Sequence, residues 1–305
     1  MMDGTRNGPG ELMQATKVEE EAGAAGASQV DNARWWQKNP MVYDNFRGEG
    51  VPATREEFER VDKRFFSRCS SWFAQAPGDP PFSALIPFNR LRGRRVLEIG
   101  CGSGAHARLL AESGADLTCV DITQAGVEMT RRRLALYGLK ADVRQMDAER
   151  LEFPDASFDF VWSWGVIHHS ADTAAVVREI ARVLRPGGEA RLMVYPRRSF
   201  LAAYATVAGV LSGRIFRMSR DELLHSYVDG ALARFYTQPE FAALLSPHFS
   251  RVETDALGQV NELIPLPGYG PLAEMKISAT RFIPRALFEP LLRRWGYFLW
   301  ARAVR

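Results

Sequence analysis

The sequence predicts an α/β fold in which a mostly parallel sheet has helices on both faces. From residue 94 onward, short apolar runs alternate with amphipathic helical stretches, the order typical of strand–helix units. Strongly apolar runs, such as the one at 96–99, suit strands that are covered on both sides of a sheet. A chain of 305 residues with 46% hydrophobic and 25% charged residues also has the composition of a globular protein.

Seven segments have the pattern of strands, and three segments between them have the pattern of helices. The predicted strands lie at 94–99, 116–121, 141–146, 158–164, 189–195, 251–257 and 296–304. The predicted helices, with apolar residues at three- and four-residue spacing, lie at 107–114, 124–138 and 173–184.

The first 92 residues lie outside this alternation. Residues 1–30 are rich in Ala, Gly and Glu, and we expect a disordered leader there. Residues 31–92 hold many aromatic side chains and predict a helical lid over a ligand site, or alternatively a cover for an exposed sheet edge or helix. Within them, the run at 56–68 has a helical spacing that places four apolar side chains on one face: Phe58, Val61, Phe65 and Phe66.

Charge and cysteine content argue against several classes of protein. Lys plus Arg number 39 and Asp plus Glu number 36, and a net charge of +3 does not predict a nucleic-acid binder. The three cysteines (Cys69, Cys101 and Cys119) are widely spaced and favour neither a disulfide framework nor a metal site. The N-terminus lacks the apolar core of a signal peptide, and the longest apolar stretch, at 201–211, is too short to span a membrane. We therefore expect a cytoplasmic protein without a transmembrane segment.

A glycine-rich turn follows the first predicted strand directly. The turn at 100–104 reads Gly-Cys-Gly-Ser-Gly, and a helix is predicted just after it. Glycines let a ligand approach the backbone closely, and the helix N-terminus aims amides at an acceptor group. Asp121 ends the next predicted strand, at the distance where an acidic residue binds a ribose diol. The turn lacks the Lys of a P-loop and the G-x-G-x-x-G spacing of dinucleotide binders.

Four motifs between residues 94 and 195 resemble one family. VLEIGCGSG, CVD, MDAERLEFPDASFDFVWSWGVIHH and RVLRPGG occur in the order found in S-adenosylmethionine-dependent methyltransferases of the class I, Rossmann-like superfamily. The resemblance implies S-adenosylmethionine as cofactor and a seven-stranded sheet whose last strand, at 296–304, runs antiparallel. It further implies a methyltransferase domain at 93–305, with substrate-cap insertions at about 196–236 and 258–295.

The first part of the cofactor site is implied by residues around the glycine-rich turn. Gly100, Gly102 and Gly104 would let the methionine part of the cofactor lie against the backbone. Glu98 would bind the amino group of the cofactor, directly or through water. Asp121 would accept hydrogen bonds from both ribose hydroxyls.

The second part of the implied site lies after the second, third and fourth predicted strands. Ile122 would pack on the adenine, and Asp147 with Ala148 would meet its amino edge. Asp147 could alternatively serve only as a helix cap. Ser163 and Trp164, at the end of the fourth strand, would border the sulfonium.

Three residues are candidates for a catalytic base. His168 and His169 follow the fourth strand at the carboxyl edge of the sheet, where such folds bind ligands, and their side chains titrate near neutrality. A structural or cofactor-orienting role is the alternative for this pair. Tyr43, from the aromatic N-terminal block, is the third candidate.

The predicted reaction is transfer of a methyl group from S-adenosylmethionine to a small organic molecule. We favour a hydroxyl of a bacterial specialised metabolite or sugar, with an amine next and carbon third. The fourth strand ends in SWGV, unlike the Asn/Asp-Pro-Pro-aromatic motif of amino-directed DNA methyltransferases. The alternatives are a non-catalytic cofactor-binding scaffold and a dinucleotide-dependent oxidoreductase. The sequence does not decide whether the protein forms a homodimer.

The C-terminal region combines apolar and basic residues at helical spacing. A helix there would place its apolar side chains on one face: Leu287, Phe288, Leu291, Leu292 and Trp295. We expect a helix packed on the core with a basic rim, or alternatively one that lies on a membrane or an apolar substrate surface.

Overall fold

The computed structural model describes residues 28–41, 51–69, 74–76, 78–265, 275–276, 278–280 and 282–305. Most of the predicted leader, the candidate base Tyr43 and part of the second predicted insertion lie outside these ranges. Among the described residues, the structure has no helix with the length and hydropathy needed to span a membrane.

The centre of the molecule is one twisted sheet. Its strands run in the order β3-β2-β1-β4-β5-β8-β7, and β8 is antiparallel to both of its neighbours. This confirms the predicted seven-stranded sheet with an antiparallel last strand. The strands are β1 Arg95–Ile99, β2 Asp116–Asp121, β3 Asp142–Gln145, β4 Phe158–Trp164, β5 Leu184–Pro196, β7 Arg251–Leu257 and β8 Phe298–Val304.

An eighth strand, β6, was not predicted from the sequence. It covers only Phe235–Tyr236 and pairs parallel with the end of β5, through Tyr195 and Pro196. Two residues are too few to show alternation in a sequence, so this strand depends on the tertiary pairing.

Helices cover both faces of the sheet, as predicted. Successive residues of β1 point to opposite faces, so Val96 packs in one core and Leu97 in the other. One core lies under α2, α3 and α4, and the second lies under α5 and α8. The helices are α1 Gln29–Lys38, α2 Arg55–Cys69, α3 Ala105–Glu112, α4 Gln124–Leu136, α5 Thr173–Val183, α6 Phe200–Leu211, α7 Arg220–His225, α8 Gln238–Leu245 and α9 Glu289–Trp295.

The N-terminal helices pack onto the sheet domain. In α2, Phe58, Val61 and Phe65 are buried and Phe66 is half-buried, which confirms the predicted apolar face. Helix α1 begins at Gln29, inside the segment predicted as leader. Ser28 and Asp31 explain this earlier start, because they form a capping box that satisfies the first free amides of the helix.

The predicted apolar face of the C-terminal helix is only partly right. A short 3-10 helix at Arg285–Leu287 is followed by a separate helix, α9, which starts only at Glu289. Leu292 is fully buried, and Phe288 and Trp295 are half-buried. Leu287, which lies before α9, is 71% exposed, and Leu291 is 41% exposed.

Candidate active site

A cavity of about 720 Å³ lies at the carboxyl ends of β1, β2, β4 and β5. Parallel α/β sheets bind ligands at this edge, because the loops that leave the strands there diverge. Helix α1 contributes residues from one side and α6 from another, so the cavity is bounded by the sheet edge and by these two helices.

The turn after β1 brings bare backbone to the cavity. Gly100 has a φ of +76°, and a Cβ there would lie 2.2 Å from the Val166 side chain, so no larger residue fits. Gly102 has a φ of +50° and lines the cavity, with open space where a Cβ would be. A ligand can therefore contact the backbone at Gly102, as the sequence predicts.

The Asp121 carboxylate lines the cavity beside this turn. Its Oδ2 accepts a hydrogen bond from the Gly102 N–H over 2.9 Å. Its Oδ1 accepts from the Thr123 N–H at 2.9 Å and from the Thr123 hydroxyl at 2.7 Å. Burial raises the pKa of Asp121, while these hydrogen bonds oppose the shift by stabilising the charged form. The side chain is thus held in one orientation at the ligand edge.

Asp147 lies at another part of the cavity and contacts helix α1. Its Oδ1 accepts a hydrogen bond from Gln29 Nε2 at 2.8 Å and from the Glu149 N–H at 3.0 Å. The other end of the Gln29 amide accepts a hydrogen bond from the Ala171 N–H at 3.0 Å. Gln29 therefore joins α1 to two loops at the sheet edge.

Glu98 and His106 form a buried pair beneath the glycine-rich turn. His106 Nδ1 lies 3.9 Å from Glu98 Oε1, and Cys119 donates its thiol hydrogen to Glu98 at 3.6 Å. Burial raises the pKa of Glu98 to about 8 and lowers the pKa of His106 to about 3. Both groups are therefore predominantly neutral at pH 7, and the pair is not an ion pair. His106 lines the cavity, whereas Glu98 lies behind it.

The two adjacent histidines have different positions. His169 lines the cavity, and its ring packs edge-on against Trp36 of α1, with ring centroids 5.1 Å apart. His169 Nδ1 lies 2.6 Å from the Leu232 carbonyl oxygen. Since a carbonyl oxygen only accepts, Nδ1 has the proton and Nε2 has the lone pair. Nε2 is shielded from solvent and has no hydrogen-bond partner among the described residues.

Burial is the main reason why both imidazoles are neutral. It lowers the pKa of His169 to about 4, with a further lowering from His225. It lowers the pKa of His168 well below the usual range. His168 is fully buried against Tyr195 and does not line the cavity, so the structure does not place this candidate base at the ligand site.

The structure brings eight of the predicted site residues to one cavity: Gly100, Gly102, Asp121, Ile122, Asp147, Ala148, Trp164 and His169. Four others lie near it without lining it: Glu98, Gly104, Ser163 and His168. Ser163 is fully buried and donates its hydroxyl hydrogen to the Ile99 carbonyl at 3.3 Å, which explains its position behind the cavity.

Several residues at the cavity were not predicted. Gln29, Asn32 and Trp36 reach it from α1, and the Asn32 side-chain oxygen is buried with no partner among the described residues. Their helical spacing on a capped helix is a usable signal, but the predicted boundary between leader and lid at residue 30 divides it and leaves Gln29 in the leader. The described residues contain no cluster of three or more His, Cys, Asp or Glu that would suit a metal ion.

Residues 97–192 match the family model described as a methyltransferase domain. Over 162 residues the chain is 30% identical to a ubiquinone biosynthesis O-methyltransferase of Xanthomonas euvesicatoria pv. vesicatoria, covering 50% of this chain and 67% of that protein. The chain belongs to the class I S-adenosylmethionine-dependent methyltransferases. This family uses S-adenosylmethionine as its methyl donor. The match therefore argues against the alternative of a dinucleotide-dependent oxidoreductase.

Other matches agree with this methyltransferase family. Over 141 residues the chain is 38% identical to the 27-O-demethylrifamycin SV methyltransferase of Amycolatopsis mediterranei, covering 43% of this chain and 50% of that one. The chain spans about half the length of the first curated relatives it matches. The fold also matches a chain of the complex between the Haloferax volcanii Trm112 methyltransferase activator and a methyltransferase, with 20% identity and a TM-score of 0.50. That match covers 82% of this chain and 94% of the other.

The residues at this cavity fit the family's cofactor, S-adenosylmethionine. Gly102 leaves space next to bare backbone, and Asp121 presents a fixed carboxylate for hydroxyl donors. Ile122 and Ala148 supply apolar surface in the same cavity, with the Asp147 carboxylate beside them. A fixed carboxylate and a nearby apolar surface are the groups that a ribose and an adenine would need.

Proposed function

We propose that the protein transfers a methyl group from S-adenosylmethionine to a hydroxyl oxygen of a small organic molecule. The observation that supports oxygen as the methylated atom is the state of His169. This neutral imidazole lies at the same cavity as Asp121 and donates its Nδ1 proton to the Leu232 carbonyl. A hydroxyl must lose its proton as it is methylated, and a neutral imidazole nitrogen can accept that proton. Two relatives are named as O-methyltransferases, which supports the same choice.

The cofactor would lie along the carboxyl edge of the sheet. Asp121 would hold the ribose hydroxyls, and Gly102 would let the methionine part approach the backbone. Gly100 and Gly104 shape that turn. Glu98, which lies behind the cavity, would bind the amino group of the cofactor, directly or through water. When bound, the cofactor supplies a methyl group that is activated by a cationic sulfur.

The adenine end and the sulfur end would involve different residues. Ile122 and Ala148 would pack against the adenine, while Asp147 would meet its amino edge. Trp164 would border the sulfur end, with Ser163 supporting the strand behind it. These assignments rest on the positions of the side chains at one cavity and on the family to which the chain belongs.

His169 would accept the proton of the acceptor hydroxyl at Nε2. Its low pKa keeps this nitrogen unprotonated at neutral pH, because burial disfavours the charged ring. Nε2 is shielded from solvent in the structure, so neighbouring side chains would have to shift before the acceptor reaches it. The Trp36 ring packs against the same imidazole. The lid residues then exclude water from the reacting groups.

The inserted segments would bind the acceptor. Phe200, Leu201 and Tyr204 of α6 line the cavity, and so do Asn261 and Lys276 of the second segment. This combination of apolar, aromatic and polar groups suits a small organic acceptor. A specialised metabolite or sugar as acceptor, Tyr43 as an additional base, a cytoplasmic location and a homodimer remain predictions.

The experiment is methyl transfer from labelled S-adenosylmethionine to phenol, quinol, macrocyclic and sugar hydroxyls and to matched amines. His169→Ala is compared with His248→Ala, which removes an exposed histidine. We expect transfer to a hydroxyl, with turnover lowered about 100-fold or more in His169→Ala and unchanged in His248→Ala. Calorimetry with S-adenosylhomocysteine should show that both variants bind cofactor. Transfer to amines alone, cofactor binding without any transfer, or full turnover in His169→Ala would overturn the proposal.

A further inference from the structure

The loop between α7 and β6 contacts the turn that contains both histidines. This loop, residues 226–234, is called the α7–β6 loop below. The Leu232 carbonyl accepts the Nδ1 proton of His169 at 2.6 Å, and the Arg234 N–H donates to the His168 carbonyl at 2.9 Å. A segment more than sixty residues away in sequence thus determines which nitrogen of His169 is protonated.

Gly230 provides the space for this arrangement. Its φ is +99°, a value that favours glycine, and a Cβ at this position would lie 2.6 Å from His169 Nδ1. The same Cβ would lie 3.0 Å from the Leu232 carbonyl oxygen. The Gly230 carbonyl in turn accepts a hydrogen bond from His225 Nε2 at 2.9 Å. Any larger residue at 230 would therefore displace the imidazole, the group that it touches first.

Arg234 binds the backbone that directly follows the two histidines, at residues 170 and 171. Its guanidinium donates to the Ala171 carbonyl at 2.6 Å and also to the Ser170 carbonyl. These two carbonyls follow His169 directly in the chain. Neither Arg234 nor Gly230 lines the cavity, so they act on the turn and not on a ligand.

We propose that Gly230 and Arg234 are positioning residues for His169, which set its ring orientation and its Nδ1–H tautomer. This inference rests on the proposed function, in which Nε2 of His169 accepts the acceptor proton. The same loop lines the cavity through Tyr227, Val228 and Asp229. One inserted loop therefore both contacts the acceptor space and orients the base.

The test uses the full chain with Gly230→Ala, Arg234→Gln and Arg234→Lys. Arg217→Gln is the control, because Arg217 is exposed in the same inserted segment and lies outside the α7–β6 loop. Nitrogen NMR of labelled histidine reads the tautomer of His169 in the ligand-free protein, and His169→Ala assigns the signal. We expect the wild type and Arg217→Gln to show the Nδ1–H form, and Gly230→Ala and Arg234→Gln to show a mixture with the Nε2–H form.

Activity supplies the second readout. We expect kcat to fall about ten-fold or more in Gly230→Ala and Arg234→Gln, because a small misplacement of a reacting group lowers the rate strongly. The affinity for S-adenosylhomocysteine should stay unchanged in both variants. Arg234→Lys should recover part of kcat, because it keeps a donor for one carbonyl. An unchanged tautomer in folded Arg234→Gln would overturn the positioning role, even if Gly230→Ala fails to fold. Full turnover in His169→Ala would instead overturn the proposed function, whatever the tautomer.

Discussion

The Gly102 N–H donates a hydrogen bond to Asp121 Oδ2 over 2.9 Å, which ties the turn after β1 to the end of β2. The two residues are nineteen positions apart in the chain. They meet because β1 and β2 are parallel neighbours and end at the same edge of the sheet. The bond holds a carboxylate in place for a ligand before any ligand arrives, which reduces the cost of ordering it on binding.

Asp121→Ala should weaken the binding of S-adenosylhomocysteine by an order of magnitude or more. The physical reason is the loss of a charged acceptor for two hydroxyls, which is worth about 1.5–3 kcal/mol for each hydrogen bond. Isothermal calorimetry measures this affinity. Asp116→Ala is the control, because Asp116 is exposed at the opposite end of the same strand. Equal affinities of Asp121→Ala and wild type would refute the ribose assignment.

Gln29→Ala should speed the dissociation of S-adenosylhomocysteine and lower its affinity about five-fold. Gln29 joins α1 to Asp147 and to the Ala171 amide, and two lost hydrogen bonds of about 0.5 kcal/mol each correspond to about a five-fold change. Stopped-flow tryptophan fluorescence can follow the dissociation, because Trp36 lies on the same helix. Arg34→Ala, with a side chain that is 61% exposed, is the matched control on α1. Equal dissociation rates in the Gln29 and Arg34 variants would show that these bonds do not hold the lid.

The wild type should lose stability as pH rises because Glu98 loses its proton, and Glu98→Gln should not show this loss. Burial raises the folded-state pKa of Glu98 from 4.5 to about 8. Between these two values the folded state binds a proton that the unfolded state has released. Its contribution to stability is therefore complete below about pH 4.5 and is lost as pH rises through about 8.

The measurement is the free energy of unfolding of wild type and Glu98→Gln at pH 5, 7 and 9. The stability of the variant relative to wild type should increase from pH 5 to pH 9. Glu112→Gln, which alters an exposed carboxylate at the end of α3, should follow the wild type at each pH. A difference between Glu98→Gln and wild type that stays constant with pH would contradict the raised pKa.

Asp62→Ala should lower the free energy of unfolding by about 3–5 kcal/mol. Asp62 of α2 accepts a hydrogen bond from the guanidinium of Arg133 on α4 at 2.5 Å, and the Arg133 side chain is fully buried. Removal of the carboxylate leaves a buried charge without its counterion, which is the costly case for ion pairs in a protein interior.

Urea unfolding of Asp62→Ala and Glu59→Ala tests this interaction. Glu59 lies on the solvent side of the same helix, in an exposed pair with Arg55, and its loss should cost less than about 1 kcal/mol. The double change Asp62→Leu with Arg133→Met should recover much of the stability, since it removes both charges together. Similar losses in Asp62→Ala and Glu59→Ala would show that the buried pair does not hold α2 on α4.

The fold was predictable because its signals are local. Strands such as β1 and β4 are apolar enough to be buried on both faces, and α5, which lies between β4 and β5 in the chain, shows a regular apolar face. Where the signal is short or interrupted, prediction failed. Strand β6 has only two residues, and the apolar run before Trp295 is divided between a 3-10 helix and α9, so that Leu287 does not share a face with the buried Leu292.

Part of the site was also predictable from local sequence signals. Gly102 and Asp121 directly follow or end predicted strands, and parallel strand ends meet at one edge of a sheet. His168 shows the limit of this reasoning. His168 and His169 lie in a short 3-10 helix after β4, where adjacent side chains point in different directions, so His169 lines the cavity while His168 is buried behind it.

The sequence by itself determined the α/β sheet, the glycine-rich turn and the acidic residue that lies beside it, because each depends on residues close together in the chain. Only the tertiary structure decided what surrounds them. Gln29 reaches Asp147 from 118 residues away, and Leu232 reaches His169 from 63 residues away. Contacts at such separations leave no periodic trace in a sequence, since they form only when the packing of the whole sheet brings the segments together.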